Sequence, residues 1–313
     1  MFEQVFSAIQ SFDRIIIHRH KNPDGDALGS QIGLKHILLE NFPGKEVYTV
    51  GDSAGRYSFM EDSQMDEIPD ELYSGALAII LDTSAKHLIS DDRYMLADKT
   101  LRIDHHIFCE KIAQVEVTDT SYESCCGLIT EFAVEYGLRL TPQAAKSLYT
   151  GMVTDSGRFR YDSTSANTFR LAAVLMEQPF DTNGIYTNLY SDDLTHIQNK
   201  ARFIMKIQRT AAGVAYIYTD LEEMKALNMD TFSVSRGMVG TMADIRGVAI
   251  WVNFTETEAG VLCELRSNQY NINPIAVKYG GGGHAKASGA TVKNKEAAMA
   301  MLRDLELLTE ENQ

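Results

Sequence analysis

Three short apolar runs, Arg14–His18 (RIIIH), Ala76–Leu81 (ALAIIL) and Thr100–Ile103 (TLRI), each give way at once to acids and histidines. Short β-branched runs separated by helical patterns read as strands covered on both faces, the situation of a parallel sheet between helices. The carboxyl ends of parallel strands share one edge of such a sheet, and ligands bind there. The first run leads into the loop HKNPDGD, with His20, Asp24 and Asp26. The second leads into Asp82, and the third into Asp104, His105 and His106. Three strands would therefore aim chemically capable side chains at one place.

The remaining pattern extends this α/β reading. Ala27–Glu40 has helical periodicity, Lys45–Val50 is a further strand candidate, and Thr141-Pro142 has the N-cap and first-turn proline of a helix running through Met152. Asp155, followed by Ser156-Gly157, ends that helix and could close the site. From Asp192 to Thr210 the chain is polar and helical. Beyond it Gly213–Thr219, Val248–Phe254 and Val261–Arg266 read as strands, the last two joined across Thr255–Gly260, and a helix runs from Asn273 into Tyr279 before four glycines. We expect a metal-binding domain over 1–190, a helical linker over 191–210 and a smaller α+β domain over 211–313.

Composition limits the function. With 29 basic and 43 acidic residues the net charge is −14, which disfavours a grip on long nucleic acid through many phosphate contacts. Residues 209–313 hold 10 basic and 13 acidic residues, so most of the excess negative charge lies in the half that bears the clustered acids. No apolar run approaches the ~20 residues of a membrane helix, and the first residues lack a signal-peptide pattern. The four cysteines, Cys109, Cys125, Cys126 and Cys263, show no metal-binding spacing and read as reduced core thiols of a cytoplasmic protein.

Each acid has an ordinary alternative role. Asp82 could cap a helix, Asp-Gly-Asp could be a simple turn, and Asp155 could stop a helix. Their joint placement after separate strands favours one site. Imidazole and carboxylate together suit Mn²⁺ or a similar divalent ion, and so many carboxylates in one pocket would repel unless cations lay between them. Two cations ~3.5–4 Å apart would balance that charge and activate water for attack on phosphorus.

HRHKNPDGDALGS, Asp82, Asp104-His105-His106 and Thr154-Asp155-Ser156-Gly157 resemble, in order, the four motifs of the DHH phosphoesterase superfamily. That resemblance implies two metal ions, most simply Mn²⁺ with Mg²⁺ or Co²⁺ as substitutes. His20 and Asp24 would hold one, and Asp26, His105 and Asp155 the other, with Asp82 bridging. It also implies that His106 contacts the substrate phosphate or transfers a proton, and that Asp104 orients the histidines.

Arg266-Ser267 and the segment Gly280-Gly281-Gly282-Gly283-His284 resemble the DHHA1 domain, which in that family binds substrate across a cleft from the metals. Glycines let backbone N–H groups approach a phosphate, and Arg can clasp it with two bonds. Arg266, Ser267, Gly282, Gly283 and His284 are the expected substrate residues, with Arg158 as a further phosphate contact and Tyr161 or Tyr279 as stacking rings.

The chain resembles the short two-domain members that degrade RNAs of two to five nucleotides and dephosphorylate 3′-phosphoadenosine 5′-phosphate (pAp), some of which hydrolyse pApA from cyclic di-AMP turnover. Expected partners are small nucleotides or very short RNA, with neither long nucleic acid nor a membrane, and the sequence allows a homodimer. Rival readings are an inorganic pyrophosphatase, a non-catalytic nucleotide- or RNA-binding module, and a relative of the alanyl-tRNA synthetase tail. The first and last leave one half of the chain unexplained, and the second would be expected to lack a ligand.

Overall fold

A computed structural model describes residues 1–227 and 229–311, and the statements below concern those residues. The chain divides into two compact units, Met1–Ser191 and Asp192–Gln313.

Unit 1 runs α1 (Glu3–Ser11), β1 (Arg14–His18), α2 (Gly25–Asn41), β2 (Glu46–Thr49), β3 (Ala76–Leu81), β4 (Lys99–Asp104), β5 (Val115–Thr118), α3 (Cys125–Glu135), α4 (Pro142–Asp155), α5 (Ala166–Met176) and α6 (Thr182–Tyr190). Its strands form one parallel sheet in the order β2-β1-β3-β4-β5. Every residue of β3 is buried, as its unbroken apolar run requires.

Helices cover both faces, but unequally. Alternate strand residues, among them Ile15, Ile17, Ile79, Leu81 and Ile103, pack with side chains of α1 to α5. The opposite set, Ile16, Ala78 and Ile80, meets Tyr73, Ile89 and Tyr94, carried on or beside single 3₁₀ turns.

Helix α2 approaches α4 closely because glycines recur on one side of it. A Cβ at Gly29 would lie 2.5 Å from the Ser147 carbonyl oxygen, and one at Gly25 would lie 2.5 Å from Thr154 Oγ1. This approach sets Asp26, at the start of α2, near Asp155, at the end of α4. The helix from Pro142 continues past Met152 to Asp155, with Thr141 capping it through a bond from the Ala144 N–H.

Unit 2 runs α7 (Leu194–Met205), β6 (Gln208–Arg209), β7 (Ala215–Thr219), α8 (Leu221–Leu227), α9 (Thr231–Val239), β8 (Ile250–Thr257), β9 (Gly260–Ser267), α10 (Asn273–Lys278), β10 (Gly282–His284), β11 (Ala287–Val292) and α11 (Lys295–Glu310). Its mixed sheet has the order β10-β11-β9-β8-β7-β6. Ile250, Val252, Phe254, Cys263 and Leu265 pack on α11, while Ala215, Ile217 and Trp251 pack on the other side with Val234 and Met238 of α9.

The hairpin β8–β9 is tighter than its sequence suggests, closing at Glu258-Ala259. Three cysteines are buried as expected, whereas Cys109 is exposed, because it lies on the loop after β4 and not on a packed element. Among the described residues no helix is long and apolar enough to cross a membrane.

Candidate metal centre and phosphate-binding groups

Strand order reverses around β1, which has β2 on one side and β3 on the other, and such a reversal opens a crevice at the carboxyl edge. His20, Asp82 and His105 all emerge there. His20 Nε2 lies 3.4 Å from Asp82 Oδ2, and His105 Nε2 lies 3.4 Å from Asp82 Oδ1. Each oxygen of Asp82 thus faces a different imidazole. Asp82 also has φ 49°, a left-handed backbone that costs energy and recurs at functional sites.

Around this carboxylate the remaining groups gather on two sides. His20, Asp24 and Asp82 could together hold a metal ion, and so could Asp26, His105 and Asp155. His105 Nε2 is 3.4 Å from Asp155 Oδ2 and 3.7 Å from Asp26 Oδ2. Asp24 serves also as the N-cap of α2, accepting the Asp26 and Ala27 N–H groups at 2.9 and 3.0 Å. Capping and ligation are thus compatible roles for this residue.

Asp26 has no exposed surface. Its two oxygens accept the N–H groups of Cys125 and Cys126, at 2.7 and 2.8 Å, at the start of α3. Those amides are among the donors a helix N-terminus leaves without intrahelical partners.

The electrostatics call for positive charge. Burial raises the Asp26 carboxyl well above its ordinary value, and neighbouring Asp82 adds to it. Asp155 is pushed up to about 6, again chiefly by burial. Burial alone would lower the histidines, yet Asp24 and Asp82 push His20 up to about 11, and Asp82 and Asp26 push His105 up to about 10. Asp82, which burial would raise, is held well below the usual carboxylate range by the neighbouring imidazoles of His105 and His20.

The donor set therefore fits a divalent cation on each side of Asp82. His20 Nδ1 sits 2.9 Å from the Lys21 carbonyl oxygen, which fixes the proton there and turns Nε2 to the acids. Asp82 Oδ1 is a buried oxygen without a hydrogen-bond partner.

His106 is half-exposed, and its Nδ1 is held by Asp104 Oδ1 at 2.8 Å. Asp104 is fully buried against Arg102, whose Nη1 lies 3.9 Å from its other oxygen. Arg158 is exposed and stacks over Tyr190 at 4.4 Å. It lies in a turn where Gly157, Arg158 and Phe159 all have φ between 56° and 63°.

In unit 2 the expected phosphate groups divide. Arg266 and His284 share a lateral row across β9, β11 and β10, and a side chain at Gly282 would meet open space. A Cβ at Gly283 would strike the Ala287 carbonyl oxygen at 2.6 Å, so this position requires glycine. Asn273 Nδ2 donates to the Gly283 carbonyl at 2.7 Å and steadies the segment.

Ser267 is not brought to the face of Arg266. Strand alternation turns it to the opposite side, where its hydroxyl donates to the Ala249 carbonyl and accepts from the Gln269 and Tyr270 amides. Tyr279 is likewise committed, its hydroxyl donating to Asp304 while the ring packs in the core. Tyr161 stays exposed, beside Gly157.

Sequence reasoning missed Arg19 and Asp52 as supports. Arg19 is fully buried and binds Gln31 Oε1, the His20 carbonyl and Asp52 Oδ1, while Asp52 Oδ2 accepts the Asn22 N–H at 2.7 Å. His18, also buried, packs against Tyr73 and Tyr94 and is lowered to about 4 by burial.

Comparison with known proteins identifies both parts of the chain. The model of the DHH family, N-terminal domain, matches residues 14–152, and that of the DHHA1 domain matches residues 214–311. The Bacillus subtilis bifunctional oligoribonuclease and PAP phosphatase NrnA is 34% identical, over 100% of both chains. A probable bifunctional oligoribonuclease and PAP phosphatase NrnA of Streptococcus mutans is 35% identical over 92% of this chain and 93% of its own. In fold, the chain is similar to an exopolyphosphatase-related protein from Bacteroides fragilis, with a TM-score of 0.83, 23% identity and coverage of 99% and 97%. The chain belongs to the DHH–DHHA1 phosphoesterase superfamily.

Proposed function

We propose that this protein is a metal-dependent phosphoesterase that releases mononucleotides from very short substrates: RNA of two to five nucleotides, pApA and pAp. The observation that carries the reading is Asp82, each of whose oxygens faces a different histidine at 3.4 Å amid metal-type donor groups on two sides. The names of the full-length relatives support the substrate class. The net charge of −14 supports it too, since a short substrate needs only a local phosphate clamp.

His20 and Asp24 would hold one divalent cation, Asp26, His105 and Asp155 the other, and Asp82 both, with Mn²⁺ the favoured ion for these nitrogen and oxygen donors. When bound, such a pair of cations supplies an activated water and stabilises charge on the phosphoryl oxygens. His106, oriented by Asp104, presents its Nε2 to a substrate oxygen and stabilises the charge that develops there. Arg266 and His284 hold the substrate's phosphates and select nucleotides over generic phosphodiesters. Free buried thiols at Cys125, Cys126 and Cys263 support a reducing, cytoplasmic setting.

The test is a parallel assay with Mn²⁺ on pApA, pAp, pyrophosphate, a five-nucleotide RNA and a long RNA. Turnover should be confined to the short nucleotides. Equal activity on long RNA, or activity on pyrophosphate alone, overturns the reading. Asp155→Asn should cut turnover by more than roughly 100-fold, the upper range for losing even an outer support of a metal ligand.

A further inference from the structure

Glu264, Arg266 and His284 of unit 2 lie on one face of its sheet. The strand register sets His284, Ala287, Arg266 and Trp251 in one row, and Gly282, Gly289, Glu264 and Asn253 in the next. Helix α9 crosses this face above Asn253, whose Nδ2 donates to the Val234 and Ser235 carbonyls at 2.7 and 2.8 Å. That anchoring brings Arg236 alongside β9. Its Nε lies 3.4 Å from Glu264 Oε1, while Glu264 Oε2 lies 3.2 Å from Arg266 Nη1. One largely buried carboxylate therefore steadies two guanidiniums on a single face, and a positive charge is left over.

The Arg236 side chain remains 60% exposed. One turn earlier on α9, the Phe232 ring is 65% exposed, and the Arg236 guanidinium lies 5.9 Å from its centroid. An open aromatic ring flanked by arginine is the combination that holds single-stranded nucleotides: the base stacks on the ring and the guanidinium pairs with the phosphate.

We propose that Phe232 and Arg236 form a second nucleotide subsite beside the phosphate groups Arg266 and His284. This subsite takes the neighbouring nucleotide of an oligoribonucleotide, its base on Phe232 and its phosphate on Arg236. The inference rests on the proposed function and adds to it the residues that separate oligonucleotides from single nucleotides. A bisphosphate such as pAp carries one base and leaves this subsite unfilled.

The experiment measures KM for a five-nucleotide RNA and for pAp with the full chain and the variants Phe232→Leu, Phe232→Tyr and Arg236→Gln. The ratio of the RNA value to the pAp value should rise about tenfold in Phe232→Leu and Arg236→Gln, on the scale of one lost stacking or phosphate contact. It should stay near the parent value in Phe232→Tyr, which keeps the ring. An unchanged ratio, or equal shifts on both substrates, overturns the subsite and leaves the Arg236–Glu264 pair a surface ion pair.

A second measurement needs no turnover. Anisotropy of a labelled five-nucleotide phosphorothioate RNA should show about tenfold weaker binding to the same two variants. Equal binding overturns the subsite. A parent chain that binds this RNA but hydrolyses none of the substrates overturns the proposed function instead.

Discussion

Arg19 illustrates how single residues hold this centre. Its guanidinium is fully buried, and its stabilising charge comes from Asp52 across 33 positions of sequence. The same Asp52 fixes the Asn22 amide, and Arg19 fixes the His20 carbonyl, so both ends of the turn that aims His20 depend on one pair. Asn22 needs that help, since its φ is 52°. Asp52→Ala should cost about 2 kcal/mol, the scale of a hydrogen bond to a charged group, because it leaves a buried cation short of a partner. Chemical denaturation reads that loss. The same variant should need more Mn²⁺ for half-maximal activity, and an unchanged metal requirement would contradict the positioning role. His20 and Asp24 were legible because ligand residue types stood in one short loop. Arg19 and Asp52 were not, because their pairing is made by β1 and the segment after β2, which sequence spacing does not connect.

At the scale of elements, the site depends on how near α2 comes to α4. Gly29→Ala would press a methyl group to 2.5 Å from the Ser147 carbonyl oxygen, a backbone atom that can yield only if α4 moves. Overpacking of this kind costs roughly 1–3 kcal/mol and should lower the unfolding temperature of unit 1 by about 5 °C. The same substitution at Gly237, inside α9 with open space around it, should instead stabilise by roughly 0.5–1 kcal/mol. A pair of melting curves decides both, and a neutral Gly29→Ala would show that the helices are not held by that approach. Strands β1, β3 and β4 were legible since burial on both faces forces apolar runs, unbroken in β3, whereas the short β5, VEVT, was not. Strand β11 was not, because small and glycine residues give it no period-two signal, and β10 is glycine apart from His284. The role of α3 was hidden as well. The sequence reading named no helix there, and nothing local reveals that its first two amides bind Asp26.

For the whole molecule, the metal-type donors lie in unit 1 and the arginines proposed to hold phosphate lie in unit 2, so two kinds of lesion should be separable. A ligand that binds the folded state alone stabilises it by about 2.7 kcal/mol at 100 times its dissociation constant. For a unit the size of Met1–Ser191, that should raise the unfolding temperature by about 5–10 °C on adding Mn²⁺, reversed by a chelator. Asp155→Asn removes a carboxylate from one of the two donor groups and should lose much of this shift. Arg266→Ala should keep the whole shift while raising KM for pAp and short RNA, since Arg266 belongs to a different compact unit. Differential scanning fluorimetry with and without Mn²⁺ reads both variants in one experiment. Loss of the Mn²⁺ shift in Arg266→Ala would mean that metal binding and phosphate binding are energetically one event. Retention of the full shift in Asp155→Asn would remove that residue from the ligand set.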